Sequence, residues 1–445
     1  MQKPALVTNP KRMEGENPLA DFATLETTLP GYDVPWVREL RRAAASRFTA
    51  LGIPSQKVEA WKYTGLSAIA TQRFTPSQDG AKVTADAAQA KQLAGAHVLV
   101  FEAGHLRADL SSSDAIDGVE ILPLATALES SPDWLEAHLK ASADAIEADA
   151  PFDSLNLAMM SDGVVIRVAE GVTVAPVIQI LHFASETSVA HHIRNIVLAE
   201  PGANATILES WAGEIDGPAW TNAVTEFDIR DGASVTYVKT QDEAEPALHL
   251  GRTKVRLAEK AVFDAFVLST GGRLARSEVL VDHAGEFSKS IVNGVYIARE
   301  AQHLDQVTRM DHAVPNATSD QVFKGVLSGK SRAAFQGTVL VRQDAQKTDA
   351  RQANHTLLLS RQAEIDTKPE LEIYADDVKC AHGATVGELD ALQLHYLKSR
   401  GIPEMEARVM LTEAFVAELA EAIAREDLRD HVLAHIRAAI SKGAA

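Results

Sequence analysis

A parallel β-helix flanked by helical segments is the fold class that this sequence predicts, and three features of the chain predict it. From Gly163 onward, short apolar strands separated by turn residues continue for about two hundred residues without long helical periodicity. Turn signals at Pro201-Gly202, Asp231-Gly232, Ala284-Gly285 and Gly329-Lys330 precede repeated strand pairs, at intervals on the order of the 20 to 50 residues of solenoid rungs. Alternation within the pairs, as in Ser234-Val235-Thr236-Tyr237-Val238 and Thr338-Val339-Leu340-Val341, gives each strand one apolar face to stack on its neighbours. A propeller and a sandwich also hold many short strands. Propeller blade endings such as Trp-Asp are absent, however, and the strands are too many and too uniformly short for one sandwich of about a hundred residues. A solenoid has apolar ends that need caps, and the flanking helices are natural ones. The implied division is a mixed helical region at 1–160, a β-helix core at 161–386 and a helical region at 387–445.

Residues 1 to about 30 are polar and irregular. Asp33 is then placed to cap a helix with Trp36, Leu40, Ala44 and Phe48 on one face, which Gly52 and Pro54 end. The stretch Ser55 to Leu66 is short and carries Trp61 and Tyr63, and 77–95 reads as a solvated connection. His97 to Phe101 is strand-like, whereas Pro132 to Lys140 and Phe152 to Met160 are helix-like. The core opens with strands at Val164–Val168, Val177–Leu181, Ile193–Leu198 and Ala205–Leu208. After Gly387, a helix over Leu389–Leu397 is broken by Arg400-Gly401-Ile402-Pro403. A second helix carries Leu411, Phe415, Leu419 and Ile423, and a third, after Asp427, carries Leu428, Val432, Ile436 and Ile440. Such a thin pair needs another surface for its stripes, either the solenoid or a partner protein.

The 445 residues, 46% hydrophobic and 23% charged, suffice for a large core and argue against intrinsic disorder. A formal net charge of −18 disfavours nucleic acid and anionic membranes as partners. No apolar run is long enough for a membrane helix, and Met1-Gln2-Lys3-Pro4 leads into polar sequence, so a cytoplasmic location is expected. Cys380, the one cysteine, rules out an internal disulfide and a cysteine-only metal site within the chain.

Gly325-Val326-Leu327-Ser328-Gly329-Lys330-Ser331 imitates a phosphate loop, but it is one residue short between its glycines and runs into a strand-like segment where the motif needs a helix N-terminus. His191, His192, His303 and His312 lack metal-site spacing and read as surface or turn residues. Glu370/Glu372 and Asp376/Asp377 suit acid–base hydrolysis or calcium in a β-helix polysaccharide enzyme, or simply a solvated surface. Cys380-Ala381-His382 stands out between a strand (Leu371 to Ala375) and an expected Gly383-Ala384-Thr385 turn. Residues two apart in a strand share a face, and thiolate and imidazole both bind iron. A packed cysteine beside a turn histidine is one alternative; a nucleophilic cysteine with the histidine as base is another, though adjacent positions rarely give that geometry and no orienting acid is identifiable. An iron–sulfur cluster wants four ligands, mostly thiolates, so this chain could hold one only at an interface with another subunit.

Several segments resemble the SufB/SufD family of iron–sulfur assembly scaffolds. The resemblance runs from Asn354-His355-Thr356-Leu357-Leu358-Leu359-Ser360 through Ala363-Glu364-Ile365-Asp366-Thr367-Lys368-Pro369-Glu370-Leu371-Glu372-Ile373 and Ala375-Asp376-Asp377-Val378-Lys379-Cys380-Ala381-His382-Gly383-Ala384-Thr385 to Ser399-Arg400-Gly401-Ile402. Val58-Glu59-Ala60-Trp61-Lys62-Tyr63-Thr64 is similar to the family's N-terminal cap. The resemblance implies a right-handed parallel β-helix, pairing with SufB through that β-helix, and docking of SufC, an ABC-type ATPase, on the C-terminal helices around Leu411, Phe415 and Leu419. It implies a non-catalytic subunit in which His382, and more weakly Cys380, serves a transient iron–sulfur cluster at the SufB interface, none being bound by the isolated chain. The lone cysteine favours the SufD type, since a SufB chain is expected to carry several. His395 departs from the bulky aromatic usual in the family. A β-helix carbohydrate enzyme and a SufB-like homodimer working without SufC are the alternatives.

Overall fold

The computed structural model describes residues 12–77, 82–147 and 150–444. The first third contributes α1 (Phe22–Leu25), α2 (Pro35–Leu51), α3 (Ser67–Ala70), β1 (Thr75–Pro76), α4 (Ala85–Gln89), β2 (His97–Glu102), β3 (His105–Leu106), β4 (Val119–Pro123), α5 (Leu124–Ser130), α6 (Asp133–Asp144) and α7 (Pro151–Met159). Strands then follow one another: β5 (Val164–Val168), β6 (Ile178–Phe183), β7 (Val189–Ala199), β8 (Asn204–Ala212), β9 (Trp220–Ile229), β10 (Ser234–Gln241), β11 (Leu248–Leu257) and β12 (Val262–Ser269). The run continues with β13 (Leu274–His283), β14 (Lys289–Ala298), β15 (His303–His312), β16 (Thr318–Leu327), β17 (Arg332–Val341), β18 (Asp349–Leu358), β19 (Glu364–Ile373) and β20 (Lys379–Gly387). The chain ends in α8 (Ala391–Ser399), α9 (Glu404–Ala420) and α10 (Glu426–Ala444).

From β5 onward, odd strands pair with odd and even with even, which builds two parallel sheets and a β-solenoid of about eight turns. Leu248, Leu274, His303, Arg332 and Glu364 stack in one column, so a turn takes 26 residues (248 to 274) to 32 residues (332 to 364). Between the sheets, Ile180, Ile207, Tyr237, Phe263 and Phe323 of even strands meet Val197, Phe227, Val255, Val279 and Phe335 of odd ones. This is the alternation expected of stacked rungs, each strand giving every second side chain to the interior.

Both outer faces are covered. On the odd-strand sheet, Ile196, Trp220, Leu248 and Leu274 pack with Val37, Phe48, Leu139 and Phe152 of the first third. On the even-strand sheet, Leu208, Val238, Phe266, Val295 and Val326 pack with Val416, Leu419, Leu428, Val432 and Ile436 of α9 and α10. The C-terminal stripes therefore meet the flank of the solenoid. At the N-terminal end β3 runs antiparallel to β2, and β4 antiparallel to β5, closing both sheets. At the other end β19 and β20 are the last strands of their sheets.

Local departures from the sequence expectations have simple causes. Helix α2 starts with Pro35 in its first turn and has Val34, not Asp33, at its N-cap, because the fixed φ of proline initiates the helix without a side-chain cap. Within 77–95, Thr84 caps α4, and Ala88 docks beside Val98, Val100 and Leu181, so that stretch is not merely solvated. Residues Gly383 to Thr385 continue β20 rather than turning, held in register by β18. His191, His192 and His312 are buried strand residues. The phosphate-loop imitation is the end of β16 and a turn with Gly329 at φ +64° that leads directly into β17. Among the described residues no helix is long and apolar enough to cross a membrane.

Candidate functional site

Cys380 and His382 lie on β20, opposite Ala350 and Gln352 of β18. Ala350 and Gln352 are buried and Arg351 between them is exposed, so Cys380 and His382 face the interior side of the last rung. The strand alternation that put them on one face thus aims both at the mouth of the solenoid lumen. Cys380 is half-buried against an apolar group that includes Val339, Val341, Ala345 and Ala350. Burial pushes its thiol up from the ordinary value, with a backbone hydrogen bond at Ala350 opposing, which favours the neutral thiol over the thiolate that binds metal. His382 is exposed.

Among the described residues no three His, Cys, Asp or Glu side chains converge to hold a metal ion. Cys380 and His382 therefore offer at most two ligands, and a cluster resting there must take the others from outside. The carboxylates of the hydrolase alternative do not form a cleft pair: Glu370 and Glu372 lie on β19, and Glu370 is 3.1 Å from Lys368, which also reaches Glu59 at 2.6 Å.

On α9, Leu419 is buried and Phe415 and Leu411 are half-buried. Lys324 of β16 sits 4.9 Å from the Phe415 ring centroid and donates to the Phe415 carbonyl at 2.8 Å and to Glu418 at 2.6 Å. Phe415 and Leu419 thus pack on the solenoid. What the C-terminal region leaves open is a different set: of the eight large apolar side chains exposed among the described residues, seven (Ile373, Tyr374, Val386, Leu392, Tyr396, Met405 and Met410) lie between 373 and 410. Their exposure was invisible in the sequence, because an apolar residue at a helix or strand position reads as core until its neighbours are known.

A buried polar network inside the N-terminal half also escaped the sequence reading. Glu209 accepts from Trp211 Nε1 at 2.6 Å, Thr225 at 2.7 Å and Tyr237 at 3.0 Å. Glu243 accepts from Thr221 at 3.1 Å and Gln241 at 3.0 Å and lies 2.8 Å from His249. Burial works against the charge of Glu243, but His249, Gln241 and Thr221 outweigh it and hold the carboxyl at about 2.

Residues 182–415 match the family described as SUF system FeS cluster assembly, SufBD core domain, and residues 19–180 match the SufBD protein N-terminal region. The chain is 32% identical to the iron–sulfur cluster assembly protein SufD of Escherichia coli, over 88% of this chain and 90% of that one. It is 29% identical to a SufBD family iron–sulfur cluster assembly protein of Synechocystis, over 86% of each chain. It is also 29% identical to the chloroplastic protein ABCI7 of Arabidopsis thaliana, over 92% of this chain and 87% of that one. With a core-domain match over more than half its length and 32% identity to a SufD protein along most of both chains, the chain belongs to the SufBD family of iron–sulfur cluster assembly proteins.

Proposed function

We propose that this chain is a non-catalytic scaffold subunit that pairs with a SufB-type subunit through the open end of its solenoid and offers His382 to a nascent iron–sulfur cluster there. The observation that carries this reading is the coincidence, at one end, of two strand edges unpaired among the described residues, the exposed apolar residues of 373–410 and His382. A bare edge presents a row of backbone donors and acceptors that another strand can pair. Exposed apolar side chains beside it are the usual mark of a protein partner.

The cluster is cargo and not a resident cofactor. His382 would supply a neutral imidazole nitrogen to iron, and the half-buried Cys380 thiol is the weaker candidate. The SufB-type partner would complete the set, since this chain brings at most two ligands. A SufC-type ABC ATPase would dock on the C-terminal helices, where Leu392, Tyr396, Met405 and Met410 are exposed and Leu411 is half-buried, with Phe415 and Leu419 behind them bracing α9 on the solenoid. ATP hydrolysis would belong to that subunit, in keeping with a strand–turn–strand where a phosphate loop would need a helix.

Anaerobic affinity capture of the tagged chain from its own organism, with subunits identified and counted by mass spectrometry, tests the proposal. Recovery with a SufB-type subunit and an ABC-type ATPase is expected. Recovery alone, or only as a self-dimer, would overturn it.

A further inference from the structure

Two histidines of α10, His431 and His435, stand one helical turn apart, with the His-x-x-x-His spacing that His191, His192, His303 and His312 lack. Side chains four residues apart share a helix face, and here the ring centroids are 4.5 Å apart with the ring planes tilted by 48°. His435 donates its Nδ1–H to the His431 carbonyl at 2.9 Å. That bond fixes the tautomer and leaves Nε2 with its lone pair free, which is how a backbone carbonyl orients a metal-ligating imidazole. His431 Nε2 is covered and has no hydrogen-bond partner, although buried nitrogens normally have one. A bare ion bonded at about 2.0 Å needs less room there than a water hydrogen-bonded at about 2.8 Å. Burial, with His435 and Lys91 adding to it, lowers His431 to about 4, so its imidazole is neutral at pH 7. The cations nearby are held elsewhere: Lys91, and Lys442 two turns further along α10, lie 4.0 and 3.4 Å from Asp242.

We propose that His431 and His435 form a two-imidazole site for a divalent late transition-metal ion of the Ni²⁺ or Cu²⁺ class, with water completing the shell. An ion bonded to both rings lies about 3.2 Å from each centroid, so centroids 4.5 Å apart subtend about 90° at it. That is the cis angle of tetragonal and octahedral ions, narrower than the angle at tetrahedral zinc, and affinity for nitrogen ligands rises along the first row toward Ni²⁺ and Cu²⁺. The site is separate from the solenoid mouth, since α10 covers the even-strand sheet, where its Val432 and Ile436 pack with Leu208 and Val238. An ion there clamps one turn of that cover. The proposal does not depend on the reading of His382 as a cluster ligand.

Isothermal titration of the untagged full chain with Ni²⁺ tests this. One Ni²⁺ binds per chain, and His435→Ala or His431→Gln weakens that binding by at least about tenfold, on the scale of a lost metal contact. Alanine is the best helix former, so His435→Ala keeps α10 intact at this half-buried position. Ni²⁺ also raises the urea midpoint of the wild type, because an ion that binds only the folded helix stabilises it, and His435→Ala loses that rise. His382→Ala, at the other candidate metal position, leaves the Ni²⁺ affinity unchanged. Unchanged affinity in His435→Ala, or affinity lost in His382→Ala instead, overturns the proposal. So does uptake of several ions per chain with no rise in midpoint, which marks adventitious binding only.

Discussion

Around β5 and β7 the solenoid is closed by antiparallel strands and fastened to helices through buried charge; around β19 and β20 it stops in two bare strands. Arg194 of β7 is wholly buried, 3.0 Å from Glu226 and 3.5 Å from Asp153, and it donates to Asn156 at 2.8 Å and Ser142 at 3.1 Å. Lys254 adds a second cation, 3.1 Å from Glu226 and 3.4 Å from Asp153. Arg252 is a third cation, 3.7 Å from Asp153, so α7 brings one carboxylate and β9 the other to cations of β7 and β11, which fixes the first third of the chain on the solenoid. At the other end the ion pairs are solvated, as in Arg332–Glu364 at 2.7 Å, and the buried charge is replaced by exposed Ile373, Tyr374 and Val386. Buried, fully paired charge belongs to a contact made once within the chain, whereas exposed apolar surface beside open edges belongs to a contact with another molecule.

Acid should have the largest effect on the buried rungs. Burial lowers His182, His192 and His191 from 6.5 to about 3, 3 and 4, so all three are neutral in the fold. Between those values and 6.5 the unfolded chain binds more protons, and stability falls as the pH falls through that window. Each histidine contributes up to about 1.4 kcal/mol per pH unit. Urea unfolding at pH 7 and pH 5 should show a loss of several such increments, reduced in His182→Gln; equal midpoints would contradict the buried neutral state.

Removing a charge from the closed end comes next. Arg194→Met removes the one wholly buried cation from Asp153 and Glu226, leaving the less buried Lys254 and Arg252, and should cost about 3–5 kcal/mol in urea denaturation. A cost below about 1 kcal/mol would mean that charge does not fasten that end. At the open end, Tyr396→Glu with Met410→Glu should weaken capture of an ABC-type ATPase by about 2 kcal/mol while leaving the melting curve intact. Undiminished capture would move the docking site off this face. Last, His382→Ala should leave stability within about 0.5 kcal/mol of the wild type. Its cluster yield in the co-expressed complex should drop about tenfold, on the scale of a lost metal contact, and full yield would remove His382 from the site.

How much of this was readable beforehand follows the same division. The strand at Val164–Val168 and the rung texture after it were legible, because one strand face repeats an apolar pattern wherever rungs stack. The burial of His191 and His192 was not: the odd-strand sheet is covered by helices on its outer side, so both strand faces are interior and polar residues lose their value as surface markers. The C-terminal stripe of Phe415, Leu419 and Ile423 was legible as a stripe, but only packing shows that the even-strand sheet receives it. Cys380 and His382 were found by their spacing, yet Gly383 was misread as a turn, since glycine on an exposed edge strand has the same signature as glycine in a loop. The burial of Gln352 gave no signal at all, because a glutamine in a strand ordinarily faces water.

Hydrogen–deuterium exchange of the full chain, alone and with a SufB-type subunit, tests the central claim most directly. The account predicts fast exchange along β19 and β20 in the free chain and marked protection of 364–373 and 379–387 in the pair, with β2 to β5 unchanged. Protection confined to the N-terminal end, or none at β19 and β20 in a formed pair, would contradict it.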